Sequence, residues 1–336
     1  MKTNYRAISI LMLVLACISC NETKYAQVIN GGFWYDTEGD IIDAHSGGII
    51  KVEDTYYWFG EAYGNAKSHK THDFKAIKCY SSKNLKDWKF ENDVITKNTA
   101  GFEDCGHLER PKVIYNEKTS QFVLWAHWEV MVWGDIEHAA VAYCDKVNGD
   151  YKFINHFLPA GQLSKDCTLY KDDDGSAYFV FDIGSHANIK MAKLTDDYLA
   201  IDRVVNENMF NETHREAPAI FKRNGIYYCF TSGTTGSDTN PQRYSTANSI
   251  VGHWSDLQGI GNGDGFNTQT TFVLPVQGTK ETTYIYMGDR WNDPGFADAK
   301  NIWLPVLWDG DVPSLEYYDS WWIDASTGKW TDSRAE

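Results

Sequence analysis

The chain has 336 residues, and its 31 Lys+Arg against 46 Asp+Glu leave a formal charge of −15. Affinity for polyphosphate rests mainly on Lys and Arg, so this balance excludes a nucleic-acid partner, and 43% hydrophobic residues exclude a disordered chain. The 13 Trp, 20 Tyr and 16 Phe supply flat apolar faces, which both β-sheets and sugar-binding clefts use.

The N-terminus reads MKTNYR, then AISILMLVLACIS, then Cys20. A basic start and an apolar run of roughly 12 residues before small residues are the parts of an export signal. A membrane-spanning helix needs about 20 apolar residues. Ile18-Ser19-Cys20 resembles the bacterial lipoprotein signal, with Cys17 where Leu is usual. The resemblance implies removal of residues 1–19, lipidation of Cys20, a short linker over 20–29 and one domain over 30–336. The expected location is the bacterial cell envelope, with the membrane engaged only through the lipid; a plain signal peptide cut nearby is the alternative. Beyond Cys20 stand Cys79, Cys105, Cys144, Cys167 and Cys229. Their wide, unpaired spacing points to free thiols rather than a disulfide framework or zinc site.

From there on, short runs rich in Tyr, Val, Ile, Trp and Phe alternate with Gly/Asp/Asn turns, an all-β signal. Five runs look equivalent: Thr55–Gly60, Gln121–Trp125, Ala177–Phe181, Ile226–Phe230 and Thr283–Met287. Their starts lie roughly 50 to 66 residues apart, a propeller-like period. Each follows another apolar strand, respectively 48–52, 112–115, 167–170, 219–222 and 271–274. The expected fold is therefore an all-β, five-bladed β-propeller, with a pair of β-sandwiches as the other possibility. The acidic turn Asp172-Asp173-Asp174-Gly175 lacks the downstream spacing of a calcium loop and reads as a hairpin turn.

A propeller's innermost strands converge on one channel mouth. About 10 to 14 residues before each repeat stands one polar residue: His45, Glu109, Asp166, Glu216 and Gln269. These five are the expected functional mouth.

At these residues the chain resembles glycoside hydrolase family 43. The resemblance is carried by Ile42-Asp43-Ala44-His45-Ser46-Gly47-Gly48, Tyr57-Trp58-Phe59-Gly60-Glu61, Glu109-Arg110-Pro111-Lys112-Val113, Arg215-Glu216-Ala217-Pro218-Ala219 and Gly288-Asp289-Arg290-Trp291. Most of that family places a base Asp on blade one, a pKa-tuning Asp on blade three and an acid Glu on blade four. Asp166 and Glu216 match the second and third, whereas His45 occupies the first. The branch resembling exo-β-1,3-galactanases shares that loss, and so does a branch resembling α-L-arabinofuranosidases.

The resemblance implies an exo-acting, inverting glycosidase that removes terminal galactose from β-1,3-galactan, a plant-type polysaccharide. An α-L-arabinofuranosidase and a non-catalytic carbohydrate-binding propeller are its rivals. Glu216 is the expected general acid, since glycoside cleavage needs a carboxyl that stays protonated beside the leaving oxygen. Asp166 is the expected orienting charge. Glu61, Glu109 and His45 are expected to bind sugar hydroxyls or hold their neighbours, and Trp128 to stack on the ring. For the attacking water, Gln269 is favoured over Glu109 and His45. No metal or cofactor is assigned.

Overall fold

The structure is a computed structural model that describes residues 25–63, 74–130, 136–183, 188–210, 214–236, 238–290 and 299–333. The expected signal segment, Cys20 and its expected lipid lie outside the described residues. So does Trp291.

Among the described residues, twenty-three strands form six antiparallel sheets. Sheet one holds β2 (His45–Val52), β3 (Thr55–Ala62), β4 (Ala76–Ser82) and β5 (Lys89–Thr96). Sheet two holds β6 (Cys105–Asn116), β7 (Gln121–Val130), β8 (Glu137–Cys144) and β9 (Lys152–Phe157). Sheet three holds β10 (Cys167–Lys171), β11 (Ala177–Asp182), β12 (Ile189–Leu194) and β13 (Ile201–Asn206). Sheet four holds β14 (Arg215–Arg223), β15 (Ile226–Gly233), β16 (Gln242–Ala247) and β17 (Gln258–Ile260). Sheet five holds β18 (Gln269–Gln277), β19 (Thr282–Arg290), β20 (Lys300–Asp309) and β21 (Val312–Leu315).

The sixth sheet has three strands: β1 (Ala26–Ile29), β22 (Ser320–Asp324) and β23 (Lys329–Thr331), with β22 in the middle. The expected count of five is thereby corrected: the all-β propeller arrangement has six sheets. Internal repeats could not disclose the sixth, because it joins the two ends of the chain and carries no copy of the repeated run. Residues 26–29, read from sequence as linker, are its first strand.

The first strands of sheets one to five pack successively, and β18 returns to β2. Apolar clusters fill the spaces between neighbouring sheets. One joins Phe59 and Ile77 to Leu108 and Leu124, and another joins Trp125 to Leu169 and Phe179. A third joins Val180 to Ile220 and Cys229, and a fourth joins Phe230 to Tyr286 and Leu304. The last space, between sheets five and one, is wedged by Trp34, Trp58, Trp88 and Trp303 and covered by Val28, Trp321 and Ile323 of sheet six. Edge-on ring contacts run from Trp303 to Trp34 at 4.8 Å and to Trp58 at 5.2 Å, the arrangement that aromatic quadrupoles prefer. Polar bonds lock the same seam. The Trp321 indole N–H donates to the Trp303 carbonyl at 2.8 Å, and the Asn30 amide both accepts from Trp303 N–H and donates to Trp303 O.

The Asp172–Gly175 stretch is the hairpin turn between β10 and β11, closed by Gly175 N–H donating to Asp172 O at 3.0 Å. The Asp172 carboxylate accepts from Tyr227 Oη and Lys222 Nζ, tying sheet three to sheet four. The five cysteines from Cys79 to Cys229 are free thiols, and all but Cys144 are buried.

If sheet six closes the ring, Trp321→Ala should cost about 3–5 kcal/mol, the range for emptying a buried aromatic site. Denaturant unfolding measures it, and a loss below about 1 kcal/mol would mean that the seam holds without that sheet.

Candidate active site

The backbone aims the site residues by a repeated device. Directly after His45, Glu109 and Glu216 the chain takes one residue with positive φ: Ser46 at 51°, Arg110 at 57° and Ala217 at 55°. At each place the pairing register slips, between His45 and Gly48, between Glu109 and Lys112, and between Glu216 and Ala219. A fourth slip lies between Thr270 and Phe272, just after Gln269. Bulges re-aim side chains and bend strands. Non-Gly residues in the left-handed region cost free energy that the surroundings must supply. Beyond each bulge the strand resumes one-to-one pairing with its neighbour.

The second strand of each sheet adds a partner across from each mouth residue. Glu61 pairs with His45, His127 with Glu109, Ser232 with Glu216 and Asp289 with Gln269. Asp182 N–H donates to the Asp166 carbonyl at 3.0 Å, extending the β10–β11 ladder by one pair. Two rings of polar residues therefore line the mouth, one from the first strands and one from the second. Sequence reading picked out all of the first ring but only Glu61 of the second. The missed members, His127, Asp182, Ser232 and Asp289, were marked by a shared signal: each stands one or two residues past its apolar repeat, as Glu61 does.

Glu216 sits in a bonded chain. Gln269 Nε2 donates to Glu216 Oε1 at 2.7 Å and reaches Ser232 Oγ at 3.3 Å. Gln269 Oε1 accepts from Arg110 Nη2 at 2.5 Å. Arg110 holds Asp166 with both prongs, Nε to Oδ1 at 3.0 Å and Nη2 to Oδ2 at 2.9 Å, and its Nη1 donates to Thr270 O at 2.6 Å. Burial works against the Arg110 charge, but the carboxylates of Asp166, Glu109, Asp289 and Glu216 more than offset this and raise its pKa. Oxygens of Asp166, Asp182 and Glu216 all lie within 4.8 Å of one another. Three carboxyls in that space resemble a cation site. Both oxygens of Asp166, however, are engaged by a guanidinium that supplies positive charge there.

The opposite side of the mouth is built from sheets one and two. Burial would lower His45, but its hydrogen bond with Asp43 and the charges of Asp289, Asp43 and Glu61 leave its pKa raised. Its ring stacks on Tyr63 at 4.7 Å. Glu61 is driven well above the ordinary carboxyl range, first by complete burial and then by the charge of Glu109, so it keeps its proton longer than an exposed acid. His127 lies between Glu109 at 3.7 Å and Glu129 at 3.1 Å. Burial opposes its charge, yet those two carboxylates lift it to about 10. Imidazolium at His127 therefore faces Glu109. Beneath the mouth, Lys112 Nζ donates to the carbonyls of Ser46 at 2.9 Å and Arg110 at 3.4 Å, holding two of the left-handed residues. A Cβ on Gly48 would come within 2.8 Å of Lys112 Cδ, so glycine leaves the room this side chain needs. Burial lowers the Lys112 amine to about 7.

The structure thus brings Glu216, Asp166 and Gln269 into one network, and groups His45, Glu61 and Glu109 with His127. Trp128 departs from expectation. It is 2% exposed, belongs to the core between sheets one and two, and stacks on His156 at 3.7 Å. The covered ring presents no face to a sugar; packing is the physical reason for this tryptophan.

The chain is similar in sequence and fold to several known proteins. The model for glycosyl hydrolases family 43 matches residues 43–261. A β-D-galactofuranosidase of Aspergillus niger is 34% identical over 285 residues, covering 76% of either chain. An exo-β-1,3-galactanase from Clostridium thermocellum superposes with a TM-score of 0.86 at 36% identity, over 92% of this chain and 69% of that one. The exo-β-1,3-galactanase of Phanerochaete chrysosporium, in a Glu-to-Gln variant solved with β-1,3-galactotriose, gives a TM-score of 0.82 at 32% identity, over 91% and 70%. The chain belongs to glycosyl hydrolase family 43 and is a glycoside hydrolase.

Proposed function

We propose that this enzyme removes terminal galactose from β-1,3-galactan by inversion, with Glu216 as general acid. The observation that carries the reading is the chain Asp166–Arg110–Gln269–Glu216 at the channel mouth, in a fold shared with the exo-β-1,3-galactanases above. In the proposed step the bond from the anomeric carbon to the leaving oxygen breaks while that oxygen takes the Glu216 proton. Water adds to the anomeric carbon from the opposite ring face and passes a proton to solvent water as the anomeric hydroxyl forms. Asp166, neutralised by Arg110, fixes the guanidinium that in turn orients Gln269 against the acid. Glu109 is proposed to receive the sugar hydroxyls, and the buried Glu61 and His45 to hold their neighbours.

The water is assigned to Gln269, whose amide lies nearest the acid on sheet five. An inverting pair stands about 6.5–9.5 Å apart, so the 2.7 Å contact with Glu216 describes the sugar-free site and must open on binding. Arg110 donates to the amide oxygen, which lowers its already small basicity. The proposed task is therefore to orient the water. His45 ranks last for this task, because its ring is held by Asp43 and stacked on Tyr63.

β-1,3-Galactobiose should be cleaved in preference to aryl arabinofuranosides and galactofuranosides; reversal of that order would replace the sugar assignment. Glu216→Gln should lower turnover of galactobiose by about 10²- to 10⁴-fold, the usual contribution of a general acid, with substrate binding nearly intact by calorimetry. Wild-type turnover in that variant would remove Glu216 from the mechanism.

The base is tested with azide on Gln269→Ala, Glu109→Ala and His45→Ala. A galactosyl azide product with Gln269→Ala alone is expected, and rescue confined to Glu109→Ala would transfer the role.

We also propose export and anchoring of the enzyme through lipidated Cys20, supported by the residues around it. Cell fractionation should find the intact protein with membranes and Cys20→Ala released from them. Equal partitioning of the two would reject the anchor.

A further inference from the structure

We propose that Asp182, a positioning residue, keeps the proton on Glu216 by holding a second negative charge beside it. The proposal rests on the assignment of Glu216 as acid. It concerns a carboxyl that sequence reading passed over.

Asp182 is 0% exposed at the end of β11, and the ladder places it across from Asp166. Its carboxylate and those of Asp166 and Glu216 approach within 4.8 Å. Like charges directly opposite on paired strands destabilise a sheet, so this pair calls for a compensating role. The charged groups around it decide where a proton goes. From sheet two, Arg110 spends two N–H groups on Asp166, with Glu216 the weakest of the four carboxyls coupled to it; Arg215, next to Glu216 on sheet four, donates to Thr231 instead. Lys165, on the segment entering β10, bonds Glu137 at 2.9 Å and is in the field of Asp182 and Glu129. From sheet five, the contact to Glu216 is the neutral Gln269 amide. Cys167 is buried beside the group, its thiol held well above its ordinary range by burial. The guanidinium thus braces Asp166, and Lys165 is the cation in whose field Asp182 lies. A third ionised carboxyl in the same buried space is disfavoured, which leaves the proton on Glu216. Two acidic neighbours, one braced by arginine and one facing lysine, replace the single tuning carboxylate expected from sequence.

The test is the pH dependence of kcat/KM on β-1,3-galactobiose for the wild type, Asp182→Asn and Glu216→Gln, each checked for folding by thermal melting. Asp182→Asn should move the basic limb down by about one pH unit or more. At pH 8 it should lose about tenfold or more on galactobiose, while an aryl galactoside with an acidic leaving group changes little. An unmoved limb in folded Asp182→Asn, with Glu216→Gln inactive, overturns the role of Asp182 and leaves the acid in place. Wild-type activity in Glu216→Gln overturns the acid assignment and this proposal with it. Should Asp182→Asn not fold, infrared difference spectra of wild type minus Glu216→Gln decide. A protonated-carboxyl band persisting at pH 7 is expected, and its absence overturns the proposal.

Discussion

The Arg110 guanidinium is the constraint on which the mouth depends. It is buried, and it ties Asp166 at the head of sheet three to Gln269 and Thr270 of sheet five, while its own backbone belongs to sheet two. A buried arginine without partners would cost several kcal/mol. Here each prong has one, so a single charge fixes the spacing of three sheets around the channel. Lys would not substitute, since a point charge lacks the two-pronged geometry. The left-handed backbone at Arg110 is part of the same bargain: it turns the side chain inward, where bonding offsets the strain.

The arrangement of the candidate site follows from pairing register. Residues far apart in sequence meet because five sheets repeat one strand pair, and each bulge aims one first-strand side chain at a common point. Their cross-strand partners then set the electrostatics. Glu61 is pressed toward its neutral form by burial and Glu109, whereas His127 is kept cationic between two carboxylates. Groups driven apart in this way divide the tasks of a hydrolytic site: some hold charge, others hold protons.

Much of this was legible in the residues. The repeated Tyr- and Trp-rich runs marked the first two strands of five sheets, and the polar residues ahead of them marked the first ring. The second ring escaped because Asp182 and Asp289 look like ordinary polar residues closing an apolar strand until the strands are paired. Sheet six escaped for a related reason: β1 pairs with β22 across almost the whole chain, and no local pattern announces a closure made by the ends. Trp128 misled in the other direction, since an aromatic beside a candidate site reads alike whether it packs or stacks. Burial separates the two.

The central claim is that this mouth performs a single displacement at an anomeric carbon with Glu216 as acid. Proton NMR of hydrolysis of the methyl β-glycoside of β-1,3-galactobiose, whose leaving group is a methyl galactoside rather than a free sugar, recorded in the first minutes before mutarotation, tests it most directly. The account predicts that α-galactose appears first and β-galactose follows as the anomers equilibrate. β-Galactose appearing first would show retention through a covalent intermediate, which this arrangement of Glu216, Asp166 and Gln269 does not support.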